Sequence, residues 1–245
     1  MEAFTMKIAG LAVRVQPMFI STREYCRSYL TEETPKFFVE VTETDLAFEQ
    51  KMLDIEADEE RLKRRKFTDP FLERASIQRK IARELLRRDT VLLHGSTVGV
   101  DGMAYLFAAP CGTGKSTHTR FWRETFQGRA VTVNDDKAFL QITEAGVLAY
   151  GSPWSGKHGL DSNICLPLKG ICFLQRGPEN RIRRSGPEAC IKELRHQCFI
   201  PEDTWGAAKA LGLADALAQK IALWEMECTK DPAAAKVSYE AMSAL

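Results

Sequence analysis

The chain of 245 residues has no apolar run long enough to cross a membrane; the best stretch, Val91 to Ala109, is interrupted by His94, Asp101 and several glycines. It has no charge bias either. Its 34 lysines and arginines face 33 acids, a net charge of +1, so neither nucleic acid nor an anionic membrane is an expected partner. The N-terminus shows no basic region followed by an apolar stretch and a small-residue cleavage site, which argues for the cytoplasm rather than secretion. The seven cysteines contain no C-x-x-C pair, are odd in number and irregularly spaced, so reduced thiols are expected rather than disulfides or zinc ligands. There is no internal repeat and no low-complexity tract. The length suffices for one sizeable core with a small attached subdomain.

The most informative segment is Pro110-Cys-Gly-Thr-Gly-Lys-Ser-Thr117. Glycines let backbone N–H groups approach the oxygens of a triphosphate, a lysine adds positive charge, and the following hydroxyl ligates Mg²⁺. Gly112, Thr113, Gly114, Lys115, Ser116 and Thr117 are therefore the candidate nucleotide-binding residues. The context agrees: Met103 to Ala109 reads as a buried strand and Ser116 to Phe126 as a helix. Ala109 stands where the first glycine of G-x-x-x-x-G-K-[ST] belongs. Cys111 lies inside the loop and is read as a small filling residue in preference to a redox switch.

Around this segment, Lys7 to Val15 and Lys36 to Thr42 read as strands, and the charged stretch Glu56 to Lys66 as an exposed helix with Glu59–Lys63 and Glu60–Arg64 pairs. A helix opens at Asp69-Pro70 and runs to about Arg88, with Ile77, Ile81 and Leu85, flanked by Ala82 and Leu86, on its apolar stripe. From Thr90 to about Gly186 strands dominate: 91–93, 103–109, 130–133, 138–142, 147–150 and 171–174, with a hairpin turn at Asp101-Gly102 and one clear helix after the loop. The last third returns to helix, with Leu211, Ala214, Ala218 and Ile221 on a buried stripe and a final helix beginning at Pro232. This balance predicts an α/β fold with a mixed sheet around a phosphate loop, not a regular doubly wound repeat. Residues 1–89 form an N-terminal α+β region, and residues 90–245 the core with its C-terminal helices.

Asn134-Asp135-Asp136 follows the apolar β-branched run Ala130 to Val133. An acid at such a strand end holds Mg²⁺ in phosphate-loop enzymes. Adjacent carboxylates point to opposite faces of an extended chain, so one can hold metal while the other accepts the proton of an attacking hydroxyl. His94, at a strand end beside the loop, is either a phosphate contact or a satisfied structural residue. Lys157, in Trp154-Ser-Gly-Lys-His-Gly159, is either a contact for the γ-phosphate or an acidic acceptor, or an incidental surface lysine; Trp154 would wall the pocket. Arg176, Arg181, Arg183 and Arg184 read as a solvated basic hairpin about Gly177-Pro178, with an anion-reading role as the alternative. No partners are evident for His118 or His196.

Leu93-His94-Gly95, Cys111-Gly-Thr-Gly-Lys-Ser116 and Val133-Asn-Asp-Asp136, in this order and spacing, resemble the kinase core of HPr kinase/phosphorylase. The loop also resembles that of ATP-dependent phosphoenolpyruvate carboxykinase, which shares the core. More loosely, Tyr150 to Gly159 and Leu168 to Gly177 resemble bacterial HPr-kinase-like proteins, some of which phosphorylate a serine hydroxyl on a peptide. The resemblance implies a fold of that type and an ATP- and Mg²⁺-dependent kinase acting on a hydroxyl of a peptide, small protein or metabolite. It implies that Lys115 and Ser116 bind triphosphate and Mg²⁺, that Asp135 accepts the proton, that Asp136 assists at the metal, and that His94 contacts phosphate. Ser116, Asp135 and Asp136 are thus the metal-facing set, and His94, Lys115, Asp135 and Lys157 the catalytic one, with exchanged roles for the two acids left open. The downstream acidic-arginine signature and larger N-terminal domain of HPr kinase are not found, nor is the carboxykinase substrate array. Two alternatives stand beside the kinase: a nucleotide-binding regulator without chemistry and, more weakly, a carboxykinase-like enzyme. The acceptor, the choice of ATP over GTP and any assembly of copies are left open.

Overall fold

The structure, a computed structural model, describes residues 1–59 and 63–244. Contacts divide the chain into two compact units, Met1–Glu84 and Leu85–Leu245.

In the first unit, β1 (Phe4–Ile8) and β2 (Leu11–Gln16) pair antiparallel, and β3 (Phe37–Glu40) adds parallel to β2. The single strand expected over 7–15 is thus a hairpin. Ala9 and Gly10, at φ 46° and 77°, make a two-residue turn of the kind that matches strand twist. A short α1 (Ile20–Tyr25) precedes β3, and α2 (Glu43–Glu59) and α3 (Asp69–Leu85) follow it. The α3 stripe lies where its spacing placed it, with Ile77, Ile81, Ala82, Leu85 and Leu86 all buried. Buried Glu73 accepts from the Met18 N–H and the Thr22 hydroxyl, and Arg79 pairs with Glu49 and Asp45, so α3 is held by charge as well as by apolar packing. Of the helix expected over 56–66, residues 56–59 are the last described part of α2, and 60–62 lie outside the described residues. Residues 63–68 are not helical, and Arg64 pairs with Asp58. Glu60 and the Glu59 side chain fall outside the described residues.

The second unit contains β4 (Thr90–His94), β5 (Ser96–Val100), β6 (Met103–Ala108), α4 (Lys115–Thr125), β7 (Ala130–Asn134), β8 (Lys137–Thr143) and β9 (Gly146–Tyr150). They are followed by β10 (Cys165–Arg176), β11 (Arg181–Ser185), α5 (Pro187–Gln197), α6 (Thr204–Lys220), β12 (Ala222–Cys228) and α7 (Ala233–Ser243). The mixed sheet runs β4-β8-β9-β10-β6-β5-β7, with β12 on β10 and β11 on β12. The long β10 is shared: Cys165–Pro167 pairs antiparallel with β9, and the strand then runs parallel to β6 and β12. A register shift between Leu168 and Gly170 marks the change, which lets the sheet curl there.

Strand alternation along β6 builds two cores. Ala104, Leu106 and Ala108 face a cluster with Leu194 of α5 and Leu213, Ala214 and Leu217 of α6. Tyr105, Phe107 and Ala109 face Phe121 and Trp122 of α4 and Ala234, Ala235 and Met242 of α7. The sheet therefore lies between two helical layers, with the loop after β6 at the end of an interior strand. In α6 the buried stripe is Ala210, Leu213, Ala214, Leu217 and Ala218; Leu211, expected there, is exposed. The expected basic hairpin is not one, because β12 lies between β10 and β11. Among the described residues no helix is long and apolar enough to cross a membrane.

Candidate active site

The loop between β6 and α4 takes its shape from two glycines. Gly112 has φ 73° and Gly114, the residue capping α4, has φ 127°, backbone conformations that a side chain strains. Ala109 has no positive φ, so nothing in the backbone requires the usual glycine there; its methyl group is buried on the α4 side of the sheet. Its carbonyl accepts from Lys115 Nζ at 2.7 Å, which brings the lysine back across the loop and leaves it only 9% exposed. The first helical bond runs from the His118 N–H to the Gly114 carbonyl. Thr119 bonds the Lys115 carbonyl and reaches Ser96 Oγ at 2.8 Å, tying α4 to β5. Ser116 and Thr117 remain partly exposed at the helix start, and Cys111 is exposed.

The facing wall is the turn between β7 and β8. Asn134, fully buried, closes it: Oδ1 accepts the N–H groups of Asp136 and Lys137, while Nδ2 donates to the Ser152 carbonyl at 2.8 Å. The asparagine thus sets both the turn after Asp135 and the start of the segment that follows β9. Sequence reasoning gave it no role: the bonds to Asp136 and Lys137 are local, but the Ser152 partner lies eighteen residues along the chain.

The two carboxylates have different surroundings. Asp135 is 4% exposed; Oδ1 accepts the Gly156 N–H at 2.5 Å, and Oδ2 is buried with no hydrogen-bond partner. Burial raises its pKa, helped by the negative charge of Asp136 and opposed by the Gly156 hydrogen bond and His158. Asp136 accepts from His94 Nε2 at 3.2 Å, and its carbonyl takes the Gly95 N–H. Burial pushes the Asp136 carboxyl up, but the His94 hydrogen bond and the charges of Lys137 and Lys115 outweigh it and hold the pKa below the ordinary value. The charge of the loop lysine, Lys115, thus acts on Asp136.

The segment from Gly151 lies against these acids. A Cβ on Gly156 would approach Asp136 Cβ to 3.3 Å and Asp135 Oδ1 to 3.4 Å. Trp154 does not wall a pocket: it is 6% exposed and meets Phe139 edge-on at 6.3 Å. It anchors the segment from inside. Lys157 and His158 are exposed beside Gly156, and Lys157 has no partner among the described residues. The structure therefore brings His94, Asp135, Asp136 and Lys115 together and leaves Lys157 in solvent.

Of the four arginines expected to cluster, Arg181 pairs with Glu179, Arg183 with Glu225, and Arg184 lies over Trp224. Arg176 alone reaches the loop, donating to the carbonyls of Gly112 at 2.5 Å and Thr113 at 3.4 Å. His118, which had no evident partner, is buried between Phe107 and Ser238, with Nε2 3.0 Å from Ser238 Oγ; burial pulls its pKa down to about 4.

Among the described residues no three His, Cys, Asp or Glu side chains gather as a metal site. The donor set instead suits a cation held by one hydroxyl and one carboxylate, with water and phosphate oxygens completing the shell, as is usual for Mg²⁺ beside a nucleotide. The unpartnered Asp135 Oδ2, beside that carboxylate, fits a site that a bound group completes, since it lacks the protein donor a buried carboxylate oxygen ordinarily has.

No family model and no curated protein matches this sequence. Among solved structures, the chain is similar to the Hpr(Ser) kinase/phosphatase from Coxiella burnetii at 10% identity and a TM-score of 0.37, over 62% of this chain and 97% of that one. The likeness is a distant structural relationship.

Proposed function

We propose that the chain is a cytoplasmic ATP- and Mg²⁺-dependent kinase that transfers the γ-phosphoryl group to a hydroxyl of a peptide, small protein or metabolite. The observation that carries the reading is Asp135: a buried carboxylate with one oxygen held by the Gly156 N–H and the other unpartnered, next to Asp136, on which the charge of Lys115 acts. A carboxylate with a raised pKa is a better proton acceptor than an ordinary surface acid.

In this reading the backbone N–H groups of 112–117 and Lys115 bind the triphosphate. Lys115 exchanges its bond to the Ala109 carbonyl for phosphate oxygens. Ser116 and Asp136 would hold Mg²⁺, which supplies neutralisation of phosphate charge. His94 keeps Asp136 oriented and anionic. Asp135 takes the proton of the acceptor hydroxyl as its oxygen bonds to the γ-phosphorus and the bond to the β–γ bridging oxygen breaks, leaving ADP. Positioning and charge neutralisation supply most of the rate in such transfers.

The test is ATP consumption with and without candidate hydroxyl acceptors, alongside ATP·Mg²⁺ calorimetry on wild type and Lys115→Ala. Acceptor-dependent turnover lost in the variant together with nucleotide affinity supports the kinase. Undiminished affinity in Lys115→Ala would mean the loop is not a phosphate site, and tight binding with no turnover for any acceptor would favour a nucleotide-binding regulator.

A further inference from the structure

Arg176 ends β10 and is exposed, yet its guanidinium is spent on two successive backbone carbonyls, Gly112 O and Thr113 O. This is an unusual use of an arginine in this chain. Arg27, Arg64, Arg79, Arg129, Arg181, Arg183 and Arg195 each have a carboxylate within ion-pair distance. Arg176 has none within ion-pair distance among the described residues and gives its donors to the loop instead.

The geometry has a consequence for the amides. A trans peptide is planar, with its C=O and N–H pointing in opposite directions. The carbonyl of Gly112 shares a plane with the N–H of Thr113, and that of Thr113 with the N–H of Gly114. A donor that grips both oxygens from one side turns both N–H groups to the other. The Gly114 N–H has no acceptor among the described residues, and the Thr113 N–H makes only a 3.3 Å bond back to the Pro110 carbonyl. Two donors are thereby aimed away from Arg176, and their carbonyls are polarised by a cation, which strengthens the amides as donors. A planar fork suits this task and an ammonium does not, because only the guanidinium presents fixed parallel donors.

The position of Arg176 is itself fixed. Its residue pairs with Cys228 across β12, and the next N–H, that of Gly177, bonds the Cys228 carbonyl. A Cβ on Gly177 would come within 2.8 Å of Glu227 Cβ, so the chain passes β12 closely.

We infer that Arg176 is a positioning residue for the anion site: it braces the peptide planes of 112–114 so that their amides face a bound phosphate group, and it adds a second cation to Lys115 at that site. The inference rests on the phosphate-loop reading for its ligand but not for the brace.

Cys111 separates the two. Its exposed thiol sits immediately before the braced segment, and Cys165, also exposed, lies at the far end of β10 as an internal reference. Alkylation mapped to each cysteine by mass spectrometry, and ATP·Mg²⁺ calorimetry, are compared for wild type, Arg176→Ala and Arg176→Lys. Arg176→Ala is expected to speed alkylation at Cys111 severalfold with Cys165 unchanged, and to weaken ATP·Mg²⁺ binding by about tenfold, the scale of a lost charge-assisted hydrogen bond. Arg176→Lys, which keeps the charge without the fork, should regain part of the affinity while Cys111 stays fast. Equal Cys111 rates in wild type and Arg176→Ala overturn the proposal, as does a parallel rise at Cys165, which would mean general loosening. Faster Cys111 in a chain whose wild type binds no ATP would sustain the brace and sink the nucleotide reading instead.

Discussion

Replacing Asp135 by Asn should make the protein inactive and no less stable, a combination that follows from its surroundings. The side chain is 4% exposed, with one oxygen satisfied by Gly156 and the other buried without a partner. Asn keeps an acceptor for the Gly156 N–H and fills the same volume, but it cannot take a proton. Loss of a general base lowers a rate by about two to four orders of magnitude, roughly 3–5 kcal/mol of barrier at 1.36 kcal/mol per decade. On the stability side, an unsatisfied buried amide costs about 1–3 kcal/mol and an unsatisfied buried charge costs more, so the exchange favours Asn at neutral pH. The sign also depends on pH. Burial raises the Asp135 pKa, so the folded chain holds this proton more tightly than the unfolded one. Its contribution to stability is complete below the ordinary carboxylate pKa of 3.8 and is lost as pH rises through the folded value. The advantage of Asn over Asp should therefore grow with pH and fade toward pH 4. Urea unfolding of both proteins between pH 4 and 8 with a chelator present, and transfer to a verified acceptor at saturating Mg²⁺, are the measurements. Full activity in Asp135→Asn, or a stability deficit that widens as pH rises, would refute the assignment.

Asp136→Asn should act on the metal rather than the proton, raising the Mg²⁺ concentration for half-maximal turnover by about tenfold or more. Because burial is outweighed there by the His94 bond and the Lys137 and Lys115 charges, wild type should also lose stability as pH falls through the lowered Asp136 pKa, and the Asn variant should not. Lys157→Ala should leave the unfolding midpoint unchanged to within about 0.5 kcal/mol, as befits an exposed lysine, while raising the apparent KM for acceptor; identical kinetics at every acceptor concentration would return Lys157 to the surface. His118, pulled down to about 4 by burial, contributes stability above its ordinary pKa of 6.5 that is lost as pH falls through about 4. Urea unfolding of wild type and His118→Gln at pH 7 and 4.5 should show that loss in wild type, on the order of a few kcal/mol, and its removal in the variant.

The parts of this fold that are legible in the sequence are those whose physics is local. Asp101 and Gly102, at φ 51° and 79°, make the β5–β6 turn that their residue types announce, and the α3 stripe follows directly from spacing. The shape of the loop between β6 and α4 is legible for the same reason, since Gly112 and Gly114 take positive φ at neighbouring positions. Where one residue departs from its usual use, the reading slips: Ala9 takes φ 46°, an alanine in a conformation more often given to glycine or asparagine, and the β1–β2 hairpin reads as one strand. Pro167, Lys169 and Gly170 hide the first half of β10, which is stabilised by three different neighbours instead of by its own pattern. β12 did carry a signal, because Trp224, Met226 and Cys228 alternate with Glu225 and Glu227, but it sits between helices that dominate the composition of that region.

The acid pair shows why two residues can be singled out from sequence while the difference between them cannot. Asp135 and Asp136 share a residue type and the same covalent neighbourhood, and nothing local distinguishes them. Their difference arises from segments far along the chain. The Gly156 backbone packs against Asp135, covering one oxygen with a hydrogen bond, while the other is enclosed without a donor. His94, from the strand that pairs with β8, reaches Asp136 and stabilises its charge. Asn134 makes the division possible by turning the chain between them, using its two ends on two different segments. A side chain at position 156 would press on both acids at once. The small residue there lets the chain pass close enough for its backbone N–H to bond Asp135, which opposes the effect of burial on that carboxyl.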